Sequence, residues 1–167
     1  HESVKYQEKI KFNQGKDDLD IPDIFYGFYQ NIIAISLFNH EAHIYCNSYN
    51  GKNNIEEVED IINAKNYSVF DYKNIGKKTS NINDNDYIEY VKKAKEHCKR
   101  GDVFQLVLSR RFKQNFEGDE FNVYRALRSI NPSPYLFFFD YGGFKIFGSS
   151  PEAQIIINNG KAEIHPI

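Results

Sequence analysis

A single carboxylate near the C-terminal end of the sequence has an unusual setting. Glu152 closes the stretch Phe147–Glu152 (FGSSPE), behind a glycine, two serines and a proline and after a run of aromatic residues. A carboxyl group in partly apolar surroundings has a raised pKa, because burial disfavours its charged form. Such a group stays protonated near neutral pH and can act as a general acid. Residue types alone, however, favour a solvent-exposed glutamate beside a turn.

A second candidate group lies in the segment Val103–Phe112 (VFQLVLSRRF), which is predicted to form a β-strand. Side chains alternate between the two faces of a strand, so Gln105 and Ser109 share one face. The opposite face includes Leu106 and Leu108 and is predicted to face a core. The face with Gln105 is either an ordinary solvated face or the polar wall of a ligand pocket. Periodicity leaves both interpretations open.

Two prolines give the segment Asn131–Tyr135 (NPSPY) a rigid bend between a predicted helix and a predicted strand. The bend could also form a preorganised ligand wall, with the ring of Tyr135 as an anchor. His40 and His43 flank one turn, but two histidines without a third ligand are a weak indication of a metal site. The sequence contains no phosphate-binding loop, dinucleotide fingerprint or nucleophile elbow.

The first half of the chain is predicted to supply a hairpin and a short helix. Runs rich in β-branched and aromatic residues, Asn31–Phe38 and Ala42–Ser48, are joined by a short polar turn and predict a hairpin. Asn53 or Asn54 is predicted to cap a helix over 55–64, whose apolar residues fall on one face. The stretch Lys73–Asn83 (KNIGKKTSNIN) is polar and is predicted to be a mobile linker.

The second half has sharper patterns. Caps at 84–86, an apolar helical face from Tyr87 to Cys98 and a stop at Gly101 predict a long helix. Asp119 is predicted to cap a second helix. Two hairpins follow, one joining 135–140 to 144–149 and one joining 153–158 to 161–167 across Asn159-Gly160. The predicted fold class is α+β, with antiparallel sheets and flanking helices.

Bulk composition indicates one soluble domain. The chain has 167 residues, a formal net charge of -2, 41% hydrophobic and 26% charged residues. This balance does not favour nucleic acid or an anionic membrane as partner, and no apolar run approaches the length of a membrane span. Two cysteines, Cys46 and Cys98, favour a reduced, cytoplasmic protein. The chain begins with His1 and ends in what resembles an unfinished strand, so both ends are expected to be cut.

Several motifs resemble the chorismate-utilising enzymes, and most closely the anthranilate synthase component I members. They occur in the family's order over about 80 residues. The matching segments are Gly101–Phe112 (GDVFQLVLSRRF), Tyr124–Arg128 (YRALR), Ile130–Tyr135 (INPSPY), Gly148–Glu152 (GSSPE) and Ile164–Ile167 (IHPI). The resemblance implies an incomplete piece of the chorismate-binding fold. Its expected parts are a lead-in with a hairpin (1–50), a short helix and linker (51–83) and the start of the core (84–167).

The resemblance also implies a chemistry and roles for named residues. The family converts chorismate and ammonia to anthranilate and pyruvate, in the lyase step that commits chorismate to tryptophan biosynthesis. Glu152 is expected to protonate the leaving C4 hydroxyl, and Gln105 to shape the side of the pocket where the nucleophile enters. Isochorismate-forming relatives usually carry a lysine at that position to activate water. Pro134, Tyr135 and Leu136 match the segment that binds tryptophan as feedback inhibitor.

Further expectations rest on the family alone. Mg²⁺ is the expected cofactor, with ligands outside these 167 residues, and a glutamine amidotransferase subunit is the expected source of ammonia. The isolated chain is expected to be inactive. Two alternatives remain: the related aminodeoxychorismate synthase component I of folate synthesis, and a non-catalytic module that binds tryptophan. Val107-Leu108-Ser109 stands where the folate enzyme usually has Asn-Leu-Thr, which favours anthranilate synthase.

Overall fold

The computed structural model describes residues 6–9, 19–48, 50–153 and 155–164. The chain divides into two compact units, His1–Ser68 and Val69–Ile167. Both contain helices and antiparallel strands, which confirms the α+β class. No helix among the described residues is both long enough and apolar enough to cross a bilayer.

The first unit contains the predicted hairpin and helix. β1 (Asn31–Ser36) pairs antiparallel with β2 (Glu41–Cys46), from Asn31 opposite Cys46 to Ser36 opposite Glu41. α1 (Ile55–Ala64) follows Asn54, as predicted, although the Asn54 side chain does not cap the helix. The Cys46 thiol donates a hydrogen bond to Asn54 Oδ1 over 3.0 Å instead. This contact ties the start of α1 to the end of β2.

The second unit begins with a two-stranded ribbon that corrects two sequence predictions. β3 (Tyr72–Ser80) pairs antiparallel with β4 (Phe112–Gly118). The prediction of a mobile linker over 73–83 is wrong, because most of that polar stretch is β3. Both faces of a two-stranded ribbon can remain in water, so backbone pairing with β4 overrides the polar composition.

The prediction of a strand over Val103–Phe112 is also wrong. Residues 103–111 are irregular, and β4 begins only at Phe112. A strand needs a hydrogen-bonded neighbour, and β4 has one in β3. The alternating apolar pattern of 103–111 therefore predicts which residues face the adjacent helix but does not by itself create a strand.

α2 (Asp84–Arg100) ends where Gly101 predicts. Its N-cap is Asn83, one residue before the predicted caps at 84–86. The Asn83 side chain accepts a hydrogen bond from the Asp86 backbone N–H over 2.9 Å. Gly101 ends the helix in the left-handed conformation, with a φ of 78°. There a side chain would be strained, which explains the glycine. Arg100 donates to Asp102 Oδ2 over 2.8 Å just beyond this end.

The last helix and the four strands that follow it occur in the predicted order. α3 (Phe121–Ile130) has Glu120 at its N-cap position, one residue after the predicted cap. The predicted residue, Asp119, still accepts a hydrogen bond from the Phe121 N–H at the start of the helix. β5 (Tyr135–Asp140) and β6 (Lys145–Ser150) form one antiparallel hairpin, and β7 (Ile156–Asn158) and β8 (Lys161–Glu163) form another. The turn at Asn159-Gly160 has positive φ at both residues, 49° and 74°. Gln154 and residues 165–167, which the predicted strands included, lie outside the described residues.

Candidate functional site

The hairpin β5–β6 is positioned by an aromatic cluster on one of its faces. Phe138 and Phe147, which pair across the hairpin, stack with ring centroids 5.5 Å apart. Tyr124 of α3 contacts both rings, at 5.5 and 6.2 Å, and Phe121 meets Phe138 edge-on at 5.0 Å. Each such pair adds about 0.5–1.5 kcal/mol beyond the area it buries. The helix therefore fixes the hairpin that carries the candidate acid.

Gly148 allows a close approach within this hairpin. It pairs with Phe137. A Cβ atom placed on Gly148 would lie 2.7 Å from Cζ of the Phe137 ring, well inside van der Waals contact. The ring of Phe137 therefore lies over the β6 backbone at Gly148, directly before Ser149 and Ser150.

Register places Glu152 and the proline-rich bend at the same end of the hairpin. Tyr135 lies opposite Ser150, so Pro134 and Glu152 each lie just beyond that pair. The Ser149 hydroxyl donates to the Asn131 carbonyl oxygen over 2.6 Å, which ties β6 to the residue that follows α3. Sequence reasoning did not identify this hydrogen bond. The sequence feature that could have indicated this hydrogen bond is the pair of serines in the GSSPE motif.

A local turn fixes the backbone at Glu152 and leaves its side chain in water. Ser150 Oγ accepts from the Glu152 N–H over 3.3 Å and donates to the Glu152 carbonyl oxygen over 3.1 Å. The proline at 151 restricts the same turn. The Glu152 side chain is exposed. The described residues thus fix the backbone at Glu152, while the residue itself remains exposed to solvent.

Gln105 lies on a different segment from Glu152. It is exposed and falls within the irregular stretch between α2 and β4. Leu106 and Leu108, close to it in the chain, line an open cavity of about 500 Å³ with residues of α2. Leu106 nevertheless remains 40% exposed, and the described residues contain no buried core of the kind that these side chains were predicted to face. No hydrogen bond joins Gln105 to Glu152 within the part of the chain that the structure describes. The β5–β6 register therefore groups Glu152 with Pro134–Leu136.

Arg110 has a larger structural role than its sequence position suggested. Its side chain is only 18% exposed and pairs with Asp84 at 2.6 Å. Nε donates to Ser80 Oγ over 2.9 Å, and the guanidinium lies 4.6 Å from the ring centroid of Phe112. Arg110 thereby joins the end of β3 to the start of α2. An arginine at the end of an alternating apolar segment is the signal that could have indicated this.

Three charged residues lie at the turn end of the hairpin. Lys145 is ion-paired with Glu120 and lies 3.4 Å from Asp140. The hydrogen bond from Lys145 holds the pKa of Glu120 below its ordinary value, and Glu120 raises the pKa of Lys145. The pKa of Asp140 is lowered chiefly by the backbone N–H of Gly142. All three charges are thus paired between the turn end of the β5–β6 hairpin and the residue before α3.

The described residues offer no candidate metal site. Among them, no group of three or more His, Cys, Asp or Glu side chains is placed to hold a metal ion. His43 lies 3.7 Å from Glu41 in the first hairpin, and this pair is exposed.

Comparison with known proteins identifies relatives along the whole chain. The family model for chorismate binding enzymes matches residues 2–167. Anthranilate synthase component 1 of Acetivibrio thermocellus is 34% identical over 187 aligned residues, covering 100% of this chain and 37% of that protein. The component 1 protein of Aquifex aeolicus is 46% identical over 88 residues, 53% of this chain and 18% of its own.

A solved structure shows the same fold. Anthranilate synthase component I from Streptococcus pneumoniae TIGR4 matches with a TM-score of 0.57 and 28% identity, over 80% of this chain and 33% of that one. The chain thus spans about a third of the length of the relatives that match all or most of it.

Proposed function

Since the chain belongs to the chorismate binding enzyme family, we propose that it forms part of an anthranilate synthase component I. The reaction joins chorismate and ammonia and yields anthranilate, pyruvate and water. An amino group adds at C2 of the ring as the C4 hydroxyl leaves, and loss of the C2 proton together with elimination of pyruvate then makes the ring aromatic. Relatives named for this activity match the chain from end to end, at 34% and 31% identity.

The observation that carries a role for Glu152 is its fixed position at the end of β6. Hydroxide is a poor leaving group, so the C4 hydroxyl must receive a proton as its bond to carbon breaks. The turn at Ser150 holds the Glu152 backbone, and Ser149 anchors the same strand to the end of α3. Glu152 is therefore proposed as the general acid, presented from a strand end rather than from a long loop.

The remaining proposed roles follow from the same family resemblance. Gln105 has an amide that cannot act as a base, which suits ammonia rather than water as nucleophile. Pro134, Tyr135 and Leu136 are proposed to contact tryptophan as inhibitor, and their position beside Glu152 would couple inhibitor binding to the acid. A glutamine amidotransferase subunit as ammonia source, Mg²⁺ as cofactor and a cytoplasmic location remain predictions. No residue of this chain is assigned to the metal.

An exchange experiment tests the proposal. The matching region of the Acetivibrio protein is replaced by this chain, and anthranilate fluorescence is followed with chorismate, Mg²⁺ and ammonia. We expect the chimera to form anthranilate and the isolated chain to form none. Glu152→Gln should lower kcat of the chimera by at least 100-fold, the lower range for loss of a general acid.

A glutamate of the same unit provides the matched control. Glu117 is exposed on β4, and Glu117→Gln should leave kcat within twofold. An active Glu152→Gln chimera would refute the role of Glu152. Accumulation of aminodeoxychorismate without release of pyruvate would refute anthranilate synthesis and support the folate enzyme. Tryptophan binding by a chimera that turns over no chorismate would support the non-catalytic module.

A further inference from the structure

Two consecutive serines at the end of β6 hold two different parts of the candidate site. Side chains alternate along a strand, so those of Ser149 and Ser150 lie on opposite faces of the hairpin. Ser149 Oγ donates to the Asn131 carbonyl oxygen over 2.6 Å, whereas Ser150 Oγ bonds the backbone N–H and carbonyl oxygen of Glu152. One serine thus reaches the start of the proline-rich bend, and the next holds the turn that carries the candidate acid.

The hydrogen bond from Ser149 closes a small ring around the segment proposed to bind tryptophan. Ser149 pairs with Leu136 across the hairpin, and its hydroxyl reaches back along the chain to Asn131. Pro134 and Tyr135 lie in the chain between these two attachment points. Movement of that segment therefore acts on Ser149 through both ends of the ring.

The bend has little freedom to absorb such a movement. Every residue from 131 to 134 is a proline or directly precedes one, and both conditions restrict the backbone. The carbonyl that Ser149 bonds belongs to the amide before the first of these prolines. The Asn131 N–H in turn donates to the Leu127 carbonyl oxygen of α3 over 2.8 Å. A displacement at Pro134 therefore changes the geometry of the hydrogen bond at Ser149 instead of being taken up within the bend.

We propose that Ser149 is a positioning residue that couples tryptophan binding at Pro134–Leu136 to the position of Glu152. Tryptophan held against that segment displaces the bend, and the bond at Ser149 transfers the displacement to the end of β6. The turn at Ser150 then carries it to the acid. The inference rests on the proposed function, which supplies both the inhibitor and the role of Glu152. The role requires no contact between Ser149 and the substrate.

Kinetics of the chimera described above test the coupling. The KM for chorismate is measured without tryptophan and with saturating tryptophan, and the ratio of the two values is compared between variants, so that changes in basal turnover cancel. Ser149→Ala should lower this ratio by about threefold or more, a factor in the range for one hydrogen bond. Calorimetry without chorismate should show that Ser149→Ala still binds tryptophan, which separates lost coupling from lost binding.

Two further variants control for the loss of a hydroxyl group. Ser129 also donates to a backbone carbonyl oxygen, that of Arg125 in α3, over 3.1 Å. Ser129→Ala should leave the KM ratio within about twofold, because this bond lies inside the helix. Ser149→Thr keeps the hydroxyl on a residue type that suits a strand and should restore the ratio. A purely structural role for Ser149 would lower stability in urea and leave the ratio unchanged.

Amide hydrogen exchange at Glu152 gives a readout that does not need turnover. The Glu152 N–H is hydrogen-bonded to Ser150 Oγ, so a shift of the turn alters its protection. Saturating tryptophan should change its exchange rate about threefold or more in the chimera. Ser149→Ala should abolish this change, and Ser129→Ala should preserve it.

Three results would overturn the inference. These are no binding of tryptophan by the chimera, a KM ratio that Ser149→Ala leaves unchanged, and a tryptophan-dependent change at Glu152 that persists in Ser149→Ala. The coupling and the reaction fail separately. A chimera that makes no anthranilate, but shows a tryptophan-dependent change at Glu152 that Ser149→Ala abolishes, would refute the function and support the coupling.

Discussion

Gly148→Ala should destabilise the β5–β6 hairpin, and the structure gives the magnitude. The new Cβ would lie 2.7 Å from Phe137 Cζ and 3.0 Å from Cε1, so the ring must retreat by about 1 Å to reach normal contact. Overpacking of this kind costs about 1–3 kcal/mol. Replacing glycine by alanine in a strand returns about 0.5–1 kcal/mol through lower entropy of the unfolded chain. The expected net loss in free energy of unfolding is about 1 kcal/mol, within a range of about 0–2.5 kcal/mol.

A double-mutant cycle isolates the steric contribution from the entropic one. In a Phe137→Ala background the ring is absent, so Gly148→Ala should be neutral or slightly stabilising. The expected coupling energy is about 1–3 kcal/mol, in the range found for residues in direct contact. Urea unfolding followed by near-ultraviolet circular dichroism, which reports the aromatic cluster, measures all four variants. Amide exchange along β6 separates loss of this hairpin from unfolding elsewhere.

Gly143→Ala is the matched control, because a Cβ atom there meets nothing within 4 Å and its φ is not positive. Its stability should lie within about 0.5 kcal/mol of the unsubstituted chain. Equal losses for Gly148→Ala in the presence and absence of the Phe137 ring would refute the close-approach argument. In that case the glycine would be required for a backbone reason that the structure does not show.

Three further predictions concern the elements around the site. Gly118→Ala should disrupt the β3–β4 ribbon, because the new Cβ would lie 1.6 Å from the Asp71 carbonyl oxygen and residue 118 has a φ of 95°. Amide hydrogen exchange should show this as a loss of protection in both strands. Lys145→Met should remove stability that depends on pH. The pKa of Glu120 is lowered from 4.5, so its contribution is complete above pH 4.5 and is lost as the pH falls through the lowered value. Urea titrations from pH 7 to pH 3 should therefore show the native and Lys145→Met chains converging in acid. Asn83→Ala should cost about 1 kcal/mol of α2 stability, measured by far-ultraviolet circular dichroism, because the cap at the helix start is lost.

Local signals in the sequence predicted most of the helices and hairpins. Gly101 and Asp119 act at helix ends through their own backbone and side chains, and the turn at Asn159-Gly160 needs only two residues with positive φ. Such features involve neighbours in the chain. They are therefore visible without knowledge of the tertiary structure.

Pairing between distant segments was not predictable in the same way. β3 is polar and β4 lies more than thirty residues later, so composition gave no reason to pair Tyr72 with Gly118. The segment 103–111 has the alternation of a strand but no strand beside it, and the pattern therefore overstated its structure. In both cases the presence or absence of a strand depends on backbone hydrogen bonds to a neighbouring strand, and side-chain composition contributes little to them.

The candidate site shows the same limit for function. Sequence alone could place Glu152 after a glycine-serine-serine-proline turn, and the structure adds the strand, the anchor at Ser149 and the register with Tyr135. Neither shows what would contact the Glu152 carboxyl group, because such a contact depends on residues distant in the sequence, which local patterns do not reveal.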